Sequence, residues 1–168
     1  MEVVDEEPLQ SSLPGYGIVG PLEGRGLLPW QWAEERLVGS HDYWLATVRP
    51  EGGPHVMPVW GVWVQGAAWF SSSRASRKSR NIAADPRAVI TTDNPLQPVV
   101  IEGVVAPVVG TDAIERFTAW VNTKYRTDLS VDFFAANACF RLEPRWTFAL
   151  DEADFTGTPT RWAFESEP

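Results

Sequence analysis

The 168-residue sequence predicts a mainly β protein, a small antiparallel barrel with two or three peripheral helices. Three observations predict it. Short β-like runs recur between turns rich in Gly and Pro, at 41–48, 55–64, 67–72, 88–92, 99–109, 138–142 and 145–150. Helical patterning is confined to a few separated stretches, so no strand–helix–strand repeat runs along the chain. The one GxGxxG, at 15–20, lies in a stretch without strand or helix periodicity, which argues against a doubly wound nucleotide fold.

Residues 1–28 mix charge, Pro, Gly and Ser without periodicity and read as a flexible arm. The barrel domain is expected over 29–150, opening with a helix in WQWAEERLVGS that packs through Trp32, Leu37 and Val38. In the first strand, Tyr43, Leu45 and Thr47 alternate with Trp44, Ala46 and Val48, and Pro50-Glu51-Gly52-Gly53 forms a hairpin turn. The second strand is apolar on both faces: Val56, Trp60, Val62 and Val64 on one, Met57, Val59 and Trp63 on the other. A strand with one wet face alternates apolar with polar, so two coverings are needed: a barrel interior and either a cofactor or a second subunit. Pro58 cannot donate to a ladder and marks an edge or a bulge.

Gln65-Gly66 turns the chain into Ala67–Ser72, followed by a basic helix from Ala75 to Ala84 that stops at Asp85-Pro86. Ala88–Thr92 and Val99–Val109 follow as strands, with Gly103 a bulge inside the second. Gly110-Thr111-Asp112 starts a helix whose apolar stripe is Ile114, Phe117, Trp120 and Val121, with one further helical turn at Val131–Ala136. Ala138–Leu142 and Arg145–Leu150 read as two closing strands around Glu143-Pro144, and 151–168 as a tail packed on the barrel or on a partner subunit.

The basic helix carries the functional signal. The formal net charge is -8, yet Arg74, Arg77, Lys78, Arg80 and Arg87 gather in one segment. Like charges three or four residues apart on a helix cost about 0.2–0.5 kcal/mol each unless an anion sits among them. The helix N-terminus and the hydroxyls of Ser71, Ser72, Ser73 and Ser76 complete a phosphate-shaped set of donors, against the competing reading of a solvated basic face.

The remaining composition excludes several classes. An acidic protein with one local basic cluster suits a small anion, not a nucleic acid. No apolar run approaches the ~18 residues of a membrane span, and the acidic start is unlike a signal peptide. The single Cys139 agrees with a reducing cytoplasm, and two histidines give no metal-ligand spacing. The serines lack a GxSxG elbow, and His55 on an apolar strand reads as a hydrogen-bonded wall residue. Nine tryptophans line a core, an interface or a flat ligand.

The run Trp69-Phe70-Ser71-Ser72 followed by Ser76-Arg77-Lys78 resembles the phosphate-binding segment of the pyridoxamine 5'-phosphate oxidase-like split barrels. TVRPEGGPHVMPVWGVW (47–63) is similar to that family's first hairpin, and DPRAVI and VVIEGVVAPV to its next two strands. The resemblance implies a six-stranded antiparallel split β-barrel, a homodimer, and a redox function carried by a cofactor. It implies that Ser71, Ser72, Ser76, Arg77 and Lys78 hold the cofactor phosphate while Met57, Pro58, Val59 and Trp60 flank its ring system. Trp162 or Arg161 of a second chain is a further expected neighbour. No catalytic residue is assigned.

Val59-Trp60 stands where the oxidase itself has a basic residue, and its C-terminal substrate motif has no match. The resemblance therefore points to the branch of flavin and deazaflavin oxidoreductases, using FMN or coenzyme F-420 on a small organic substrate. TVRPEGGPHVMPVW and SRKSRNIAADPRAVI look most like the F-420 users. A non-catalytic flavin- or haem-binding split barrel is the alternative.

Overall fold

The computed structural model describes residues 7–164; the ends of the expected arm and tail, 1–6 and 165–168, lie outside the described residues. In chain order the elements are β1 (Leu9–Gln10), α1 (Trp30–Gly39), β2 (Asp42–Val48), β3 (Pro54–Val64), β4 (Ala67–Ser72) and α2 (Arg77–Ala84). There follow β5 (Arg87–Thr92), β6 (Val99–Pro107), α3 (Thr111–Tyr125), α4 (Val131–Ala136), β7 (Ala138–Ala149) and β8 (Thr160–Ala163). Six strands in the order β7-β4-β3-β2-β5-β6, all antiparallel, close into a barrel through the β6–β7 pairing; β8 and then β1 extend the sheet outside β7.

The period-two pattern of β2 sets the inside of the barrel. Tyr43, Leu45 and Thr47 are buried and meet Val59, Trp63, Phe70, Ile90, Ile101 and Leu142 in the interior core. α1 plugs one end through Leu37 and Ala33, which lie one turn apart. Val38, expected in that packing, is exposed, because it sits about 100° around the helix from Leu37. A second core lies outside the barrel, where Phe117 and Val121 of α3 and Phe134 of α4 cover Val62, Trp69 and Cys139.

Two strand expectations are corrected or refined. Ala138–Leu142 and Arg145–Leu150 are one strand, β7, which runs through Glu143-Pro144 without a break. Pro144 is tolerated because β4 pairs with β7 only up to Leu142 and β8 only from Trp146, so its missing N–H falls between two partners. It lies opposite Gly103, where the β6–β7 register shifts as the sequence predicts for a bulge.

Residues 151–164 fold back on the same chain. Trp162 is fully buried and packs edge-on against Trp30, with ring centroids 5.4 Å apart. It is therefore not free to enter a partner's site, and Arg161 stacks 4.0 Å over the ring of Trp146. Within residues 7–28, Leu9 and Gln10 pair with Arg161 and Thr160.

Candidate functional site

The barrel splits between β3 and β4. Only Gly61–Val64 of β3 pair with β4, so Pro54–Trp60 have β2 on one side and no strand on the other. Ser71 and Ser72 of β4 run past the end of β3 and pair only with β7. Pro58 sits on this open edge, where its missing N–H leaves no ladder bond unmade.

The gap holds a cleft of about 320 Å³. One lip is Pro58, Val59 and Trp60; the other is Ser71, Ser72, Ser73 and Lys78. α3, α4 and the loop between them supply the apolar floor with Phe117 and Val121, Phe133 and Phe134, and Leu129 respectively. Asn137 adds one polar group. Six of the nine residues expected at the site thus line one cavity. Met57 is half-exposed outside its lining, Ser76 stands behind Ser72, and Arg77 lies one residue before Lys78 without lining it.

The helix starts later than the sequence suggests. Ser76 caps α2, its hydroxyl accepting from the Ser79 N–H at 3.2 Å, so the first helical residue is Arg77. The cap is braced by neighbouring hydroxyls: Ser72 and Ser76 lie 2.9 Å apart, and Ser79 donates to the Ser73 carbonyl at 2.8 Å. Arg74 precedes the helix and does not stack on Lys78. Its guanidinium donates to the Ala135 and Ala136 carbonyls, both at 3.3 Å.

The other basic residues divide clearly. Arg80 donates back to the Ala75 carbonyl at 2.9 Å. Arg87 forms a fork with Asp85, its Nη2 2.6 Å from Oδ2, and hydrogen bonds from Arg87 hold that carboxyl at about 2. Among the described residues, Arg77 and Lys78 alone of the five make no hydrogen bond or ion pair. Two unpaired cations therefore sit in the first turn of α2, where the helix dipole already favours an anion.

Trp60 forms the flat wall, and the sequence did not reveal what holds it. Tyr125, at the end of α3, stacks on it. The Tyr125 hydroxyl accepts from the Gly61 N–H at 2.8 Å and donates to the His41 carbonyl at 2.6 Å. Lys124 beside it donates to the Gly61 carbonyl at 2.7 Å. Burial pushes the Lys124 ammonium down to about 8 and the Tyr125 phenol up to about 12. Their positions at a helix C-terminus suggested only dipole compensation, since a contact 64 residues away has no local signature.

Cys139 is buried, its thiol pushed up to about 11 by that burial. Among the described residues there is no cluster of His, Cys, Asp or Glu able to hold a metal ion. No helix among them is long and apolar enough to cross a membrane.

Residues 33–148 match the family model described as pyridoxamine 5'-phosphate oxidase. Among solved structures the chain is similar to one described as an F-420 reductase, at 27% identity and a TM-score of 0.57 over 68% of this chain and 94% of that one. A conserved hypothetical protein of Mycobacterium tuberculosis superposes at TM-score 0.67 and 22% identity, over 91% of this chain and 95% of its own. A heme binding protein from Mycobacterium smegmatis shares the fold at TM-score 0.53 and 21% identity, covering 78% and 62% of the two chains. No curated protein matches.

Proposed function

The chain belongs to the pyridoxamine 5'-phosphate oxidase family, and from that premise we propose that it is an oxidoreductase holding FMN or coenzyme F-420 in the β3–β4 cleft. One observation carries the reading. The two cations free of protein partners stand in the first turn of α2, beside a cavity whose opposite lip is a flat indole. Arg77 and Lys78 suit a phosphate, and the braced Trp60 with an apolar floor suits a planar ring system. Bound there, such a cofactor supplies hydride transfer; the chain's own part is to bind it, orient it and exclude water.

F-420 is the preferred cofactor, on the hairpin and α2 sequences and on the likeness to an F-420 reductase. Pyridoxal phosphate synthesis is not proposed, because Trp60 stands where the oxidase carries a basic residue. The outer sheet face, with Trp44, Val56, Trp60 and Trp146 exposed, is the face we assign to a second copy of the chain. The substrate we assign to the protein is a small organic molecule.

The test is equilibrium binding of FMN and of F-420, followed by fluorescence, for the native protein and an Arg77→Ala/Lys78→Ala double variant. Micromolar or tighter binding of one cofactor, lost in the double variant, is the expected result. Binding of neither would leave α2 a solvated basic helix and remove the redox assignment. Non-catalytic haem binding is the second reading, favoured by the haem-binding neighbour; it requires a Soret band on adding haem.

A further inference from the structure

His55 is the second residue of β3, and the sequence reading of it as a satisfied wall residue does not hold. Its imidazole is only partly covered, yet Nδ1 is buried and has no hydrogen-bond partner. An unpartnered buried nitrogen is unusual and calls for a reason. Across the ladder His55 faces Thr47, whose hydroxyl accepts from the Asn81 amide of α2 at 2.9 Å, so the first strands and the helix are tied together here. The charged groups that act on His55 are all positive: Arg49 from the end of β2, and Lys78 and Arg77 from the first turn of α2.

We propose that His55 is a third, proton-coupled partner of the cofactor phosphate: when the anion enters between α2 and the start of β3, the imidazole takes up a proton. This inference rests on the phosphate reading of the cleft. In the free protein, burial and then the three cations hold the imidazole below its ordinary value, which favours its neutral form. An anion placed among the same cations reverses their effect. The protonated imidazole gains an opposite charge and relieves the crowding of Arg49, Arg77 and Lys78. Up to one proton is taken from solvent per anion bound, and no bond is made or broken. Through linkage, binding tightens as pH falls from the His55 value in the complex to its value in the free protein.

Only His41 and His55 are present, so the two imidazole signals are separable by NMR, with His55→Gln giving the assignment. The titration is run on the native protein alone, with FMN, with F-420, and with riboflavin as the phosphate-free control. A rise of about one unit or more in His55 with the phosphate-bearing cofactor that binds, none with riboflavin, and an unmoved His41 are expected. His55→Gln should remove that proton uptake while Arg77 and Lys78 still support binding. A cofactor that binds through Arg77 and Lys78 without moving His55 overturns this inference and leaves the proposed function standing. An equal shift with riboflavin also overturns it, since the phosphate is then not the cause. If no cofactor binds, both fall together.

Discussion

The indole of Trp60 and the phenol ring of Tyr125 lie 4.2 Å apart between centroids and within 4° of parallel. Trp60 is on the open edge of β3, where no second strand holds the backbone, and Tyr125 closes a helix from the other core. The stack therefore replaces a missing strand as the support of the cleft's flat wall.

Two substitutions separate the parts of that support. Tyr125→Phe keeps the ring but leaves the Gly61 N–H without its acceptor, and should cost about 1–3 kcal/mol in urea unfolding with cofactor affinity nearly unchanged. Tyr125→Ala removes the ring as well and should weaken cofactor binding in addition to stability. Equal affinities for the two variants would show that the stack does not position Trp60.

The cation arithmetic at α2 makes a sharper prediction. Lys78 lines the cleft and has no protein partner, whereas Arg80, two residues on, is folded back on the Ala75 carbonyl. Lys78→Ala should weaken cofactor binding by about 10–100-fold, the range for loss of one charged hydrogen bond. Arg80→Ala should change it by less than about threefold. Comparable losses would mean that long-range field rather than contact holds the anion.

The barrel was legible because its cause is local. Alternation in β2, two apolar faces in β3 and Gly103 in β6 each leave a mark within a few residues, and each appears in the fold. So did the serine-capped basic turn. What escaped depends on distant contacts: Arg74 is drawn away by α4, Lys124 and Tyr125 reach Gly61, and α3 and α4 supply the cleft floor. Pro144 misled for a related reason, since whether proline breaks a strand depends on where the partner strands end.

Lys124 gives the folded protein a pH signature. Burial lowers its folded value to about 8, while the unfolded chain titrates near the ordinary 10.5. Between these limits the unfolded state binds more protons, so this group's contribution to stability rises as pH increases from about 8 toward 10. Tyr125, raised by burial, acts in the opposite sense only above its ordinary 10. Urea unfolding of the native protein and Lys124→Met at pH 7 to 10 should show the native protein gaining relative to the variant. A constant difference would show that Lys124 stays hydrated.

Glycine at the bulge supplies the last prediction. A Cβ on Gly103 would stand 2.1 Å from the Glu143 carbonyl oxygen and 2.8 Å from Leu142 Cδ2. The oxygen belongs to the backbone of β7, opposite the register shift, so relief requires moving the strand that closes the barrel. Gly103→Ala should therefore destabilise by about 3 kcal/mol, as overpacking does in a tight core. Gly39, the last residue of α1, meets nothing within 4 Å, and Gly39→Ala should be neutral or stabilise by about 0.5–1 kcal/mol through the unfolded chain. Chemical unfolding of the two variants checks the contrast. Similar stabilities would mean that β6 and β7 approach less closely than this bulge requires, and that barrel closure does not depend on the missing side chain.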